Sequence, residues 1–474
     1  MGDKFTISLG NFSRSDGKKV ISIRTICKRA VLSSFFIMAG FSISELSPAI
    51  LFSFILFGVL GFSLTSRIDP KATGIFIIVY SLCALLSALL YFHYINVYGA
   101  PYWEGGSDEL EYERLGKEFA ENYSIFEYGG IRKDLVPVWH NSVGYIYLVG
   151  ILTKLGNIMG GGHTMVIRIF NSACLGLISV MVFSLAKRFE LKQKTVIWTS
   201  LLAGCLPLMI WTAGQSLRDI LITMLLITGV YVWTPETTGK QKFGLFYVLF
   251  ITILISIALF ELRRGQAFVL LLVATIGLLT GADKRYKWIR ILWILLMTLI
   301  SAWMIMKFSS ILTSDLDLIL MSSESYSTYR TEERGGGLST IVFSSTPPLS
   351  YILRSVYALV SPLPVISSKF YILWLSIGTV FQIFFMPFFF KGIYISLRTR
   401  IWWVVVSAFT MLFVGMAMFT FTTRHITQYL PLGVLITALG YEHYRGDRNL
   451  VFFTMGGLIG LMVILYLSLK VFTS

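Results

Sequence analysis

The sequence predicts an all-α polytopic membrane protein, a bundle of about 11–14 transmembrane helices with interfacial helices in its outer loops. Three observations carry that expectation. Of 474 residues, 55% are hydrophobic and only 14% are charged, where soluble domains run about 25% charged. The mean hydropathy is +0.73, so polar side chains are too few to cover a soluble surface. The apolar runs also recur at roughly the 17–25 residues that cross a bilayer.

The elements follow in chain order. Residues 1–29 carry seven bases, and the first apolar run opens only at Ala30. No cleavable signal peptide fits that pattern, and the amino terminus is expected to stay in the cytoplasm. Spans are predicted at 30–45, 47–66, 73–96, 163–186, 195–213, 216–234, 244–262, 266–281, 288–308, 371–390, 401–422, 426–441 and 450–470. The first two, separated by ISELSP, form a hairpin or one broken helix. The apolar segment 143–158 is read as an interfacial helix. This divides the chain into a basic segment (1–29), amino-terminal spans (30–96), a first outer loop (97–162), central spans (163–308), a second outer loop (309–370) and carboxy-terminal spans (371–474). The second loop holds the Gly/Ser-rich SSESYSTYRTEERGGGLST, expected to be mobile, and then a proline-bounded interfacial helix in PPLSYILRSVYALVSPLP.

Charge tests that layout. The predicted cytoplasmic pieces hold 24 Lys and Arg against 8 acids, and the rest of the chain holds 16 bases and 17 acids. The net charge of +15 is therefore a positive-inside bias, and nucleic acid drops out as its cause. Counting 143–158 as a span would put AKRFELKQK and DKRYK outside and weaken the bias. Cys27 lies in the basic segment, while Cys83, Cys174 and Cys205 lie in apolar runs. Neither a disulfide nor a cysteine metal site is expected.

The first outer loop places nine acids between Glu104 and Asp134. Tyr112, Leu115, Gly116, Phe119, Ala120 and Tyr123 fall at helical spacing and form an apolar stripe. Glu111, Glu113, Glu118 and Glu121 are assigned to the opposite, solvated face. Asp108 and Glu109 sit at the helix start. There, Ser107 or Asp108 serves as an N-cap and acids favour the helix dipole; a catalytic role competes with that structural one.

The span 73–96, the outward D-E-x-x-Y-x-x-L-G helix and WHNSVGYIYLVGIL together resemble the GT-C superfamily of glycosyltransferases. Its members include protein O-mannosyltransferases and the aminoarabinose transferase of lipid A. VIRIFNSACLGLISVMVFSLAKRF, LPLMIWTAGQSLRDILITMLLITGVYVW, FELRRGQAFVLLLVATIGLL and TTRHITQYLPLGVLITALGY are similar to later family helices. The resemblance covers about Gly74 to Tyr441. It departs at His140-Asn141-Ser142, where the family has His-Pro-Pro, and in the extra pair of spans before residue 67.

The resemblance implies glycosyl transfer from a polyprenyl (pyro)phosphate-linked sugar to a glycan or lipid-linked acceptor. The localisation it implies is a bacterial inner membrane with a periplasmic site. A carboxylate would take the acceptor proton, with Asp108 the first candidate and Glu109 the second. Arginine would hold the departing phosphate through its planar fork. Arg168, Arg218, Arg263, Arg264 and Arg424 stand at outer helix ends, where an arginine wants a partner. Arg263, Arg264 and Arg424 are the preferred phosphate or sugar contacts. Arg218 pairs with Asp219 or snorkels to headgroups as readily as it binds a ligand, and Arg263 has Glu261 nearby. Tyr112 of the acidic helix is carried as a substrate contact. His140 is a catalytic group or an interfacial hydrogen-bonder beside Trp139, and Arg330 and Arg334 close over the donor or merely solubilise their loop. No cluster has metal-ligand spacing; a divalent cation, Mg or Mn, would bridge Asp108 and a pyrophosphate.

Two other readings stay open. LRD, the long second outer loop and SPLP also resemble Wzy-type polymerases, which join polyprenyl pyrophosphate-linked repeat units. A lipid-linked oligosaccharide transporter or flippase would instead place charges deep in the spans, with matched broken helices in two halves.

Overall fold

The computed structural model describes residues 23–103, 107–135, 142–235, 244–280, 288, 291–293, 295, 342, 349–361, 370–419 and 422–473. Among these no strand forms, and the protein is an all-α polytopic membrane protein. Among the described residues, seven helices are long and apolar enough to cross a membrane, or eight if one bent pair counts as a single span, and six further apolar helices are shorter, Val143–Ile158 among them. Most of the predicted span 288–308 and of the second loop lies outside the described residues.

The chain forms two compact units, Met1–Lys187 with Lys192–Thr228 and Leu254–Ala267, and Arg188–Leu191 with Gly229–Ile253 and Phe268–Ser474. The first opens with a helical hairpin, α1 (Ile23–Ser44) and α2 (Pro48–Ser66). Its turn is tight: Leu46 takes φ 50°, and the Ser42 hydroxyl donates to the Ser47 carbonyl at 2.8 Å. Pro48 then starts α2 at a position whose N–H would be unpaired anyway. The two predicted spans are therefore separate helices.

α3 (Pro70–Tyr98) starts under the Asp69 cap, whose side chain accepts from the Lys71 amide at 2.8 Å. It stops at Gly99, where φ is 72°. α2 lies on α3, with Phe54 stacked on Tyr80 and the Tyr80 hydroxyl bonded to the Phe54 carbonyl at 2.7 Å.

α4 (Ser107–Asn122) crosses α5 (Val143–Ile158) through glycine. A Cβ on Gly116 would lie 2.5 Å from Val149, and one on Gly150 would lie 2.4 Å from the Phe119 ring. α6 (Thr164–Arg188) is buried along most of its length. The predicted single span 195–213 is instead two helices, α7 (Gln193–Cys205) and α8 (Pro207–Ala213), bent by 47°. Pro207 causes the break: it holds Leu206 extended, at φ −59° and ψ 135°, and has no N–H to continue the ladder. α8 ends at Ala213, five residues pass without helix, and α9 (Asp219–Trp233) begins. α10 (Leu245–Leu262) and α11 (Arg264–Thr280) follow.

In the second unit the proline-bounded segment forms α12 (Leu349–Leu359). α13 (Phe370–Arg398) crosses α15 (Leu430–Glu442), with α14 (Trp403–Phe419) between them in sequence and α16 (Arg448–Thr473) last. The α13–α15 crossing is backbone on backbone. A Cβ on Gly440 would lie 1.8 Å from the Phe388 carbonyl oxygen, and one on Gly392 would lie 1.9 Å from that of Ile436. Without a hydrophobic drive between helices in lipid, such close approach is what holds a pair together.

Gly440→Ala therefore lowers the thermal unfolding midpoint in micelles, by an overpacking penalty of about 1–3 kcal/mol. Gly457 faces open space, so Gly457→Ala leaves the midpoint unchanged or raises it through the roughly 1 kcal/mol helix preference of alanine.

Candidate functional site

The polar residues of the first unit gather where α4, the Ser142 turn, the start of α6 and the α8–α9 junction meet. α4 begins at Ser107, so Asp108 and Glu109 lie inside its first turn. Asp108 is half-buried, whereas Glu109 is 4% exposed. Glu109 Oε1 accepts from the Ser216 amide at 2.7 Å and lies 3.7 Å from Arg168 Nη2. Its Oε2 accepts from the Trp103 amide at 3.4 Å. Burial pushes the Glu109 carboxyl above the ordinary carboxylate range, and the Arg168 guanidinium opposes that without cancelling it.

Glu113 corrects the assignment of that residue to the solvated face, because it is only 2% exposed. Its Oε1 accepts from the Thr164 hydroxyl and from Ser216 Oγ at 2.7 Å, and its Oε2 accepts from Tyr102 at 2.9 Å. Burial, and then Glu113 itself, raises the Tyr102 phenol, which keeps it a donor. Glu109, Glu113, Gly116 and Ala120 fall at i, i+4, i+7 and i+11. The two acids extend the buried stripe upward, whereas Glu111 and Glu121 are exposed and Glu118 is half-exposed.

Arg168 is wholly buried. Nη2 donates to the Pro101 carbonyl, the guanidinium lies 5.9 Å from the Tyr91 ring centroid, and Nε and Nη1 have no hydrogen-bond partner. Gln215, Trp211 and Tyr94 are likewise buried, with the Gln215 and Trp211 side chains turned toward the Tyr94 hydroxyl. This neighbourhood is thus rich in donors around one guanidinium.

The α8–α9 junction organises the rest. Asn171 donates to the carbonyls of Gln215 at 2.8 Å and Leu217 at 3.0 Å. Arg218 does not pair with Asp219: it donates to Ser142 Oγ and, at 2.7 Å, to the Leu262 carbonyl. Tyr112 shares the same Ser142 hydroxyl at 3.2 Å and faces Tyr145 edge-on. Asp219 lies 3.7 Å from Arg263 instead. Glu261, the expected neighbour of Arg263, is held by Arg132 at 2.6 Å and by the Tyr128 hydroxyl. Arg264 is exposed, 5.7 Å from the Phe260 ring centroid.

Of the residues singled out from sequence, Glu109, Arg168, Tyr112, Arg218 and Arg263 belong to this one network, with Asp108 at its edge. Arg424 lies in the other unit, in the helical turn Thr423–Gln428. His140, Arg330 and Arg334 lie outside the described residues. The network members not foreseen are Glu113, Ser142, Thr164, Gln215 and Ser216. Glu113 carried a legible signal, its four-residue spacing from Glu109; hydroxyls that meet across more than fifty positions carry none.

No family model, curated protein or solved structure matches this chain.

Glu113→Ala would remove the acceptor shared by three buried hydroxyls, leaving Tyr102 without it and Thr164 and Ser216 only each other, at 3.0 Å. The expected loss of stability is about 3 kcal/mol or more, read as a lower thermal midpoint in micelles. Glu121→Ala on the exposed face of the same helix changes stability by no more than about 0.5 kcal/mol.

Proposed function

We propose that this protein is a membrane glycosyltransferase that draws on a polyprenyl (pyro)phosphate-linked sugar. The acceptor is a glycan or a lipid-linked glycan, on the periplasmic face of a bacterial inner membrane. One observation carries the reading: a buried carboxylate–arginine pair, Glu109 with Arg168, set beside the half-buried Asp108 in one helical turn. The GT-C-like order of segments and the positive-inside charge support it further.

In this scheme Asp108 accepts the proton of the acceptor hydroxyl. The freed oxygen attacks the anomeric carbon, and the bond from that carbon to the phosphate oxygen breaks, its electron pair leaving with the phosphate. Arg168 offers Nε and Nη1 to an oxyanion, and Glu109 holds the guanidinium in place. Arg263 and Arg264 lie at the junction of α10 and α11 as further cationic contacts. Among the described residues no group of three His, Cys, Asp or Glu would hold a metal ion.

A lipid-linked oligosaccharide flippase is the second reading. The bent α7–α8 pair, leading into buried irregular backbone, favours it.

Deleting the gene and analysing cell-surface glycans and lipid-linked intermediates separates these. Loss of one sugar supports the transferase. Single repeat units on the outward lipid carrier point to a polymerase, and units retained on the cytoplasmic side point to a flippase. Unchanged glycans overturn all three. On complementation, Asp108→Asn abolishes transfer at unchanged protein level, and full activity in that variant sinks Asp108 as the base. Glu109→Gln reduces transfer and also weakens folding.

A further inference from the structure

We propose that His163, Glu45 and Tyr91 form a proton-operated clasp that fastens the α1–α2 hairpin to the start of α6, the helix that carries Arg168. Glu45 lies in the hairpin turn. Its Oε2 accepts from the Tyr91 hydroxyl at 2.9 Å and lies 3.6 Å from His163 Nε2. The Tyr91 oxygen is 3.3 Å from the same ring nitrogen. His163 Nδ1 accepts from the Met165 amide at 3.1 Å. A neutral ring that accepts at Nδ1 carries its proton at Nε2, and that proton faces Glu45 and Tyr91.

Contacts on either side make this a docking point between two elements. The Ser47 hydroxyl donates to the Gly161 carbonyl at 3.1 Å. A Cβ on Gly160, where φ is 103°, would lie 3.1 Å from Pro48, so the loop needs glycine there to meet the hairpin. Phe41 of α1 faces the His163 ring edge-on and packs on Tyr91.

Adding a proton to His163 converts Nδ1 from acceptor to donor. It then confronts the Met165 N–H, and the bond that ties the ring to the first turn of α6 is lost. The positive end of the α6 dipole also opposes a cation at that position. The charged and titratable groups facing the ring are Glu45 from the hairpin turn, Tyr91 from α3, Glu113 from α4 and Arg168 from α6. Burial dominates and lowers the histidine pKa; Glu45 and then Glu113 oppose it, and Arg168 adds to it. A depressed folded value means that neutral His163 contributes its stability above the unfolded value of about 6.5. That contribution is lost as pH falls through the window below it. Protonation trades the Met165 bond for a charged pair with Glu45, so the 160–164 loop and the first turn of α6 loosen first. Arg168 is the fifth residue of that helix.

Hydrogen exchange on the full-length protein in nanodiscs, corrected for intrinsic rates, reads the clasp between pH 7.5 and 5. Peptides covering 160–168 and 42–48 are expected to lose protection below about pH 6.5, while peptides from the middle of α3 do not. His163→Gln, which cannot take the charge, shows no such transition. Glu45→Gln removes the largest group favouring the proton and moves the transition to lower pH. Equal protection across the range, or a pH response retained in His163→Gln, overturns the proposal. Should His163→Gln fail to fold, Glu45→Gln decides alone: a transition that stays in place or moves to higher pH also overturns it.

Discussion

The first unit depends on the burial of a stretch of non-helical backbone in a chain with little water to offer it. Gly214 to Leu217, with Arg218, are buried and lie outside any helix. In an apolar setting each unpaired peptide group is destabilising by several kcal/mol, so every part of this segment must find a partner. Asn171 serves the carbonyls of Gln215 and Leu217, Glu109 takes the Ser216 amide, and Glu113 takes the Ser216 hydroxyl. The two carboxylates of α4 are thus drawn into the interior by a segment that needs acceptors, and Arg168 lies against Glu109. Pro207 sets this up by breaking the helix about two turns earlier.

Close approach is the second requirement. Gly116 and Gly150 let α4 settle on α5 deeply enough that Glu109 and Glu113 reach the α8–α9 junction. Gly144 does the same at the far side, where a Cβ would lie 2.7 Å from Glu261. Glu261 in turn holds Arg132 and Tyr128, which pins the segment after α4 to the end of α10. Arg218 completes the ring by joining Ser142 to the Leu262 carbonyl. These contacts make the region after α3 an integral part of the unit.

Charge also reaches the hairpin that precedes α3. Tyr91 contacts Glu45 through its hydroxyl and Arg168 through its ring, so the turn of the hairpin and the centre of the polar network share one side chain. The hairpin is therefore tied to the network rather than appended to the bundle.

Composition and run length by themselves determined that this is a helical membrane protein, because hydrophobic length is a local property that needs no partner. The α3, α6 and α10 spans were legible for the same reason: the predicted runs 73–96, 163–186 and 244–262 each end within about three residues of the helix observed. Glu109 and Arg168 stood out because a charge in or beside an apolar run is expensive enough to be conspicuous. Only the tertiary structure decided which charges meet. Asp219 takes Arg263 rather than its neighbour Arg218, and Glu261 takes Arg132 rather than Arg263. Glu113 turns inward to three hydroxyls, two of which, on Thr164 and Ser216, lie far away in sequence. Pairing of buried polar groups is settled by distance in the folded state, and the order of residues along the chain carries almost no record of it.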